Sequence, residues 1–92
     1  MDATRAQLAI LQERQATHGD YSDTACLAQD MKVLLRRRAN WPGMTRRQQE
    51  SLDMICTKMA RILNGDLEYV DNWVDIAGYA KLVAERLEGK SR

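Results

Sequence analysis

The chain has no phenylalanine, one proline, five glycines, two cysteines and one histidine among its 92 residues. Each scarcity excludes something. With aromatics at 5%, any core must be assembled from Leu, Ile, Val, Met and Ala. Two cysteines, Cys26 and Cys56, are too few for the disulfide framework of a small secreted domain. Both fall on apolar positions of expected helices and are read as buried, reduced thiols. One histidine and no Cys-x-x-Cys spacing argue against a zinc site. No apolar run reaches the roughly 18–20 residues that a bilayer span needs, so no membrane partner is expected. Segment 1–10 carries Asp2 and Arg5 without an apolar stretch, so no signal peptide is expected and a cytoplasmic location follows. Charge of one sign is also missing. Fourteen Lys+Arg against thirteen Asp+Glu leave +1, which argues against a nucleic-acid protein held by bulk charge.

What remains is ordinary globular material, 45% hydrophobic and 29% charged, too apolar for disorder. A chain of this size buries roughly 60–65% of its unfolded surface, so residues 1–92 make one domain with a thin margin as a monomer. A homo-oligomer is therefore expected. The few Gly and Pro residues punctuate four helical segments, at about 4–16, 22–38, 45–63 and 70–88. The first is short and ends at His18-Gly19-Asp20. Ser22 is the expected N-cap of the second, and Asn40-Trp41-Pro42-Gly43 breaks it. Thr45 with Gln48 three residues on has capping-box spacing. Nothing alternates as a strand. The fold class is all-α, a small four-helix bundle.

The third and fourth helices carry the candidate chemistry. Leu52, Ile55, Cys56, Met59, Ile62 and Leu63 form the third helix's core stripe, with Lys58 and Arg61 along its polar edge. Lys58 sits beside the apolar arc, where its stem is buried and its ammonium runs inward or along a groove. In the fourth helix, Val70, Trp73, Ile76, Ala77, Ala80, Val83, Ala84 and Leu87 form the expected core stripe. Asp71, Asp75 and Gly78 lie opposite, with Tyr79 on the flank. Two like charges four residues apart repel by a few tenths of a kcal/mol, so something should offset them: a cation such as Lys58 or Arg61, a metal ion, or plain solvent. Gly78 costs about 0.8–1 kcal/mol against Ala inside a helix, which points to a covered back face. His18 and Asp20 in their turn are further candidates. Arg36-Arg37-Arg38, with Arg46 and Arg47, is the only local basic cluster.

Across residues 13–85, several segments together resemble a family of small phage and prophage proteins. These are Glu13-Arg14, Thr17-His18-Gly19-Asp20-Tyr21, Lys58-x-x-Arg61-Ile62 and Asp71-x-x-x-Asp75-x-x-Gly78-Tyr79. That family is distantly similar to the all-α nucleotide pyrophosphohydrolases of the MazG and dimeric dUTPase type. The resemblance implies an oligomeric helical bundle, host cytoplasm for a phage-encoded chain, and Mg²⁺ held by carboxylates of two helices. Asp71 and Asp75 stand where the second carboxylate motif would lie, and Glu68-x-x-Asp71 has its spacing. The first motif, Glu-Glu-x-x-Glu, is absent. The second helix offers only Asp23 and Asp30.

Two functions follow as expectations. In one, a nucleoside phosphate is bound or hydrolysed between helices three and four. Lys58 and Arg61 neutralise phosphates, Asp71 and Asp75 hold Mg²⁺ or a ribose hydroxyl, and Tyr79 stacks on a base. In the other, the chain is a non-enzymatic interaction module that inhibits a host protein.

Overall fold

A computed structural model describes residues 3–89, and the ends of the expected 1–92 domain lie outside the described residues. Four helices follow in order: α1 (Ala3–His18), α2 (Tyr21–Arg36), α3 (Arg46–Asn64) and α4 (Val70–Leu87). A single 3-10 turn at Trp41–Gly43 separates α2 from α3, and no strand occurs among the described residues. The first helix is not short. At 16 residues it equals α2 in length.

Capping explains the boundaries. Gly19, at φ 85°, turns the chain out of α1 and leaves Asp20 extended, with its carboxylate accepting from the Asp23 amide at 3.2 Å. Asp20, not Ser22, is therefore the N-cap of α2, because the left-handed glycine fixes where the next helix can begin. Thr45 and Gln48 form the reciprocal capping box expected of them. Pro42 sits in the 3-10 turn, where its missing N–H costs nothing.

The central helix is α3, packed against α2 on one side and α4 on the other. Arg36 of α2 grips Asp53 of α3 with two hydrogen bonds, at 2.9 and 2.7 Å, and lies 4.7 Å from the centre of the Trp41 ring. Arg36, the first member of the basic cluster, is thereby committed to packing. At the other end of the bundle, two X-Gly-Asp turns clasp each other. The Asp66 amide donates to the Thr17 carbonyl at 2.8 Å, and a side chain on Gly19 would overlap the Asn64 backbone. A side chain on Gly65 would overlap Thr17 and His18. This clasp fixes the end of α1 against the start of the α3–α4 loop.

The core is thin. Ala28, Cys56 and Ala60 are the buried hydrophobic residues, joined by buried Thr24, Ser51 and Asn72. Cys26, expected to be buried, is exposed, because Thr24 and Ala28 turn α2's inner face away from it. The fourth helix departs most from expectation. Its side turned to α3 carries Asn72, Asp75, Ile76, Tyr79 and Val83. Val70, Trp73, Ala77, Ala80, Ala84 and Leu87, expected in the core, all face outward. A Cβ on Gly78 would meet nothing within 4 Å, so close approach within the chain does not account for that glycine.

Candidate functional site

The expected meeting of α3's cationic edge with α4's aspartates takes place, in part. Lys58 Nζ lies 2.9 Å from Asp75 Oδ2, the lysine side chain 12% exposed and the aspartate 45%. The spacing of one helical turn puts Asp71 on the same side of α4, but Asp71 remains exposed and pairs with a neighbour of its own chain segment. Hydrogen bonding to Asp71, and then its negative charge, raise the Tyr69 phenol above its usual pKa. The Tyr69 ring in turn receives His18 edge-on, at 5.6 Å between centroids and 81° between planes.

His18 thus reaches the α3–α4 side of the clasp. Burial is the largest influence on its pKa, followed by the charges of Arg61, Arg14 and Lys58, and all four lower it. Its Nδ1 is buried without a hydrogen-bond partner. An imidazole surrounded by cations in a half-buried position favours its neutral form.

A second cluster lies on the opposite side of His18. A groove of about 510 Å³ runs between α1, α2 and α3. Arg14, His18, Lys32, Thr57 and Arg61 supply its polar wall, with Asp20 at the clasp end and Leu11, Ala25 and Ala28 its apolar floor. Tyr21 stands on the rim, 83% exposed. Arg14, Lys32 and Arg61 make no ion pair with any described residue. Asp20 is occupied in capping α2. The groove therefore sets three unpaired cations against the single Asp20 carboxylate, beside apolar side chains, an arrangement suited to anions that carry an organic group.

The site expected between the third and fourth helices is divided, and Arg61 joins the separate His18–Asp20 candidate. His18, Asp20 and Arg61 line the α1–α2–α3 groove, while Lys58, Asp71 and Asp75 lie at the α3–α4 side. Tyr79 lies further along α4, in a shallow cleft with Asp75, Gly78 and Leu82. Arg14 and Tyr21, which entered from sequence only through the family resemblance, and Lys32 and Thr57, which sequence did not single out, complete the groove. Their signal was present as four-residue spacing, in Arg14–His18, Tyr21–Ala25 and Thr57–Arg61, each of which shares one helical face.

Carboxylates fit a metal poorly here. Among the described residues no three His, Cys, Asp or Glu side chains group as metal ligands. The Lys58 ammonium already takes the cation's place beside Asp75. A hard divalent ion wants several oxygen ligands, and these two aspartates are each engaged elsewhere.

Residues 3–87 match the model of one family, described as Domain of unknown function (DUF6378). The chain belongs to it. No curated protein and no solved structure gives a significant match to this DUF6378 chain. Among its described residues, no helix is long and apolar enough to cross a membrane.

Proposed function

We propose that this DUF6378 chain binds a nucleoside phosphate in the groove between α1, α2 and α3. One observation carries the reading: Arg14, Lys32 and Arg61 line a single cavity with no carboxylate among the described residues paired to them. Charge-assisted hydrogen bonds to phosphate oxygens contribute about 1.5–3 kcal/mol each, and the exposed Tyr21 ring on the rim offers a face for a base. The resemblance to small phage proteins, and more distantly to MazG-type pyrophosphohydrolases, supports a phosphate ligand and a phage or prophage origin. It does so through Lys58-x-x-Arg61 and Asp71-x-x-x-Asp75. Relative to the sequence expectation, the phosphate moves from Lys58 to the groove's own cations, because Lys58 is committed to Asp75. Mg²⁺ belongs to this reading as a passenger of the phosphates. The reading is of binding.

Thermal denaturation with nucleoside mono-, di- and triphosphates and with pyrophosphate tests it. A ligand at a hundred times its Kd adds about 2.7 kcal/mol, a rise of roughly 10–20 °C in Tm for a chain of this size. Arg61→Met and Lys32→Met should remove the shift, and Tyr21→Ala should weaken nucleotides while sparing pyrophosphate. No shift from any of these compounds at millimolar concentration ends the proposal. The other reading, a protein-interaction module that inhibits a host protein, draws on a different observation: the apolar side of α4 that faces outward.

A further inference from the structure

The outward side of α4 has a regular form. Val70, Trp73, Ala77, Ala80, Ala84 and Leu87 recur at intervals of three and four residues, the spacing of a coiled-coil seam. All six are exposed, Val70 by 63%, Trp73 by 54% and Leu87 by 73%. A seam of this kind has no function in water, and every level of it is apolar. Trp73 is also held ready. Its Nε1 donates to the Leu67 carbonyl at 2.9 Å, which satisfies the indole's one polar group and leaves the ring as an apolar anchor.

The area of the chain sets the size of what is missing. Its accessible surface is 6931 Å², against roughly 5,400 Å² for a compact monomer of this mass. Its radius of gyration is 16.0 Å, against about 12 Å for a compact domain of this length. The excess of about 1,500 Å² is more than the roughly 800 Å² that each partner buries in a standard interface. Leu8, Ile10 and Leu11 on α1, each more than half exposed, add to the surface available for cover.

We propose that α4 packs antiparallel against α4 of a second copy of this chain. The seam complements itself when reversed. Val70 then faces the partner's Leu87, Trp73 the partner's Ala84, and Ala77 the partner's Ala80. The bulky indole meets a small residue, and the two small residues nearest the two-fold axis let the backbones approach. An isologous contact of this kind closes on itself and leaves no seam exposed. Antiparallel helices also align their dipoles favourably. The proposal is independent of the phosphate groove, whose named cations lie on α1, α2 and α3.

Sedimentation equilibrium and cross-linking test it together. The wild-type chain should sediment at twice its 10.5 kDa mass. Ala80→Glu places like charges near the two-fold axis and should raise the dimer dissociation constant by at least about 100-fold. Leu82→Gln, off the seam, should leave it unchanged. Ala80 is exposed in the single chain, so circular dichroism should show the helices retained. Should that variant lose its helices, cross-linking decides the matter in a Cys26→Ser background. A mixture of Val70→Cys and Leu87→Cys chains should form a disulfide under oxidising conditions, and Val70→Cys alone should not. A wild-type monomer at high micromolar concentration overturns the proposal. So does a folded Ala80→Glu chain that dimerises normally, or Val70→Cys that cross-links to itself.

Discussion

Lys58 of α3 and Asp75 of α4 form an ion pair whose two ends live in different surroundings. The lysine side chain is 12% exposed and the aspartate side chain 45%, at an Nζ–Oδ2 distance of 2.9 Å. This asymmetry decides what each partner is for. A half-open carboxylate retains much of its hydration when its partner leaves, whereas an enclosed ammonium does not.

Removing either partner should therefore have unequal effects. Asp75→Asn strands the Lys58 ammonium and should cost about 1–3 kcal/mol. Lys58→Met keeps the packed stem, leaves Asp75 hydrated, and should cost under about 1 kcal/mol. Urea denaturation of both variants and of the double substitution measures the difference. Equal losses from the two single variants would show that the pair is a solvated surface contact.

The glycines separate two kinds of constraint. Gly19 has φ 85° and no room beside Asn64, so Gly19→Ala should destabilise by about 2 kcal/mol or more. Gly65→Ala meets Thr17 and His18 and should behave similarly. Gly78 has open space around its missing side chain, so Gly78→Ala should stabilise the single chain by about 0.8–1 kcal/mol through helix propensity. A loss of stability at Gly78→Ala would mean that another molecule covers this face of α4.

Helices α2 and α3 were legible from sequence because each combines an apolar stripe with a cap or breaker, as at Thr45–Gln48 and Pro42; α1 has no such stripe, and its length was not legible. The Lys58–Asp75 meeting was legible too, since the stripe of α3 fixes which edge borders α4. The orientation of α4 was not. Its apolar arc is wide enough for two neighbours, and periodicity does not say which part faces the same chain. The fully buried Asn72 marks the side against α3, a position that a polarity pattern assigns to solvent. The groove was missed because its cations come from three helices, and only the Gly19–Gly65 clasp brings α1 close to the others.

The thiols should react unequally. Burial, and then the charge of Asp53, raise the Cys56 thiol above its usual pKa, whereas Cys26 lies exposed on α2. The thiolate is the reactive form, so a maleimide at neutral pH should label Cys26 in the folded chain and reach Cys56 only on denaturation. Mass spectrometry of the labelled peptides reads this directly. Rapid labelling of Cys56 under native conditions would contradict its placement between α2 and α3.

As the chain's one histidine, His18 gives a single imidazole resonance whose titration reports on the groove. Burial and the nearby Arg61, Arg14 and Lys58 hold its folded pKa below 6.5. Between that lowered value and 6.5 the unfolded chain binds more protons, so the contribution of His18 to stability falls as pH falls through this interval. Well above 6.5 the imidazole is neutral in both states and contributes no pH dependence. Wild type should therefore lose more stability than His18→Gln between pH 7 and 5, the carboxylates acting alike on both. A bound phosphate changes the balance. Its charge offsets Arg61 and Arg14, raises the His18 pKa, and by linkage tightens binding as pH falls. NMR titration with and without pyrophosphate should show the midpoint below 6.5 in the free chain and displaced upward in the complex. A midpoint that pyrophosphate leaves in place would dissociate His18 from any anion the groove holds.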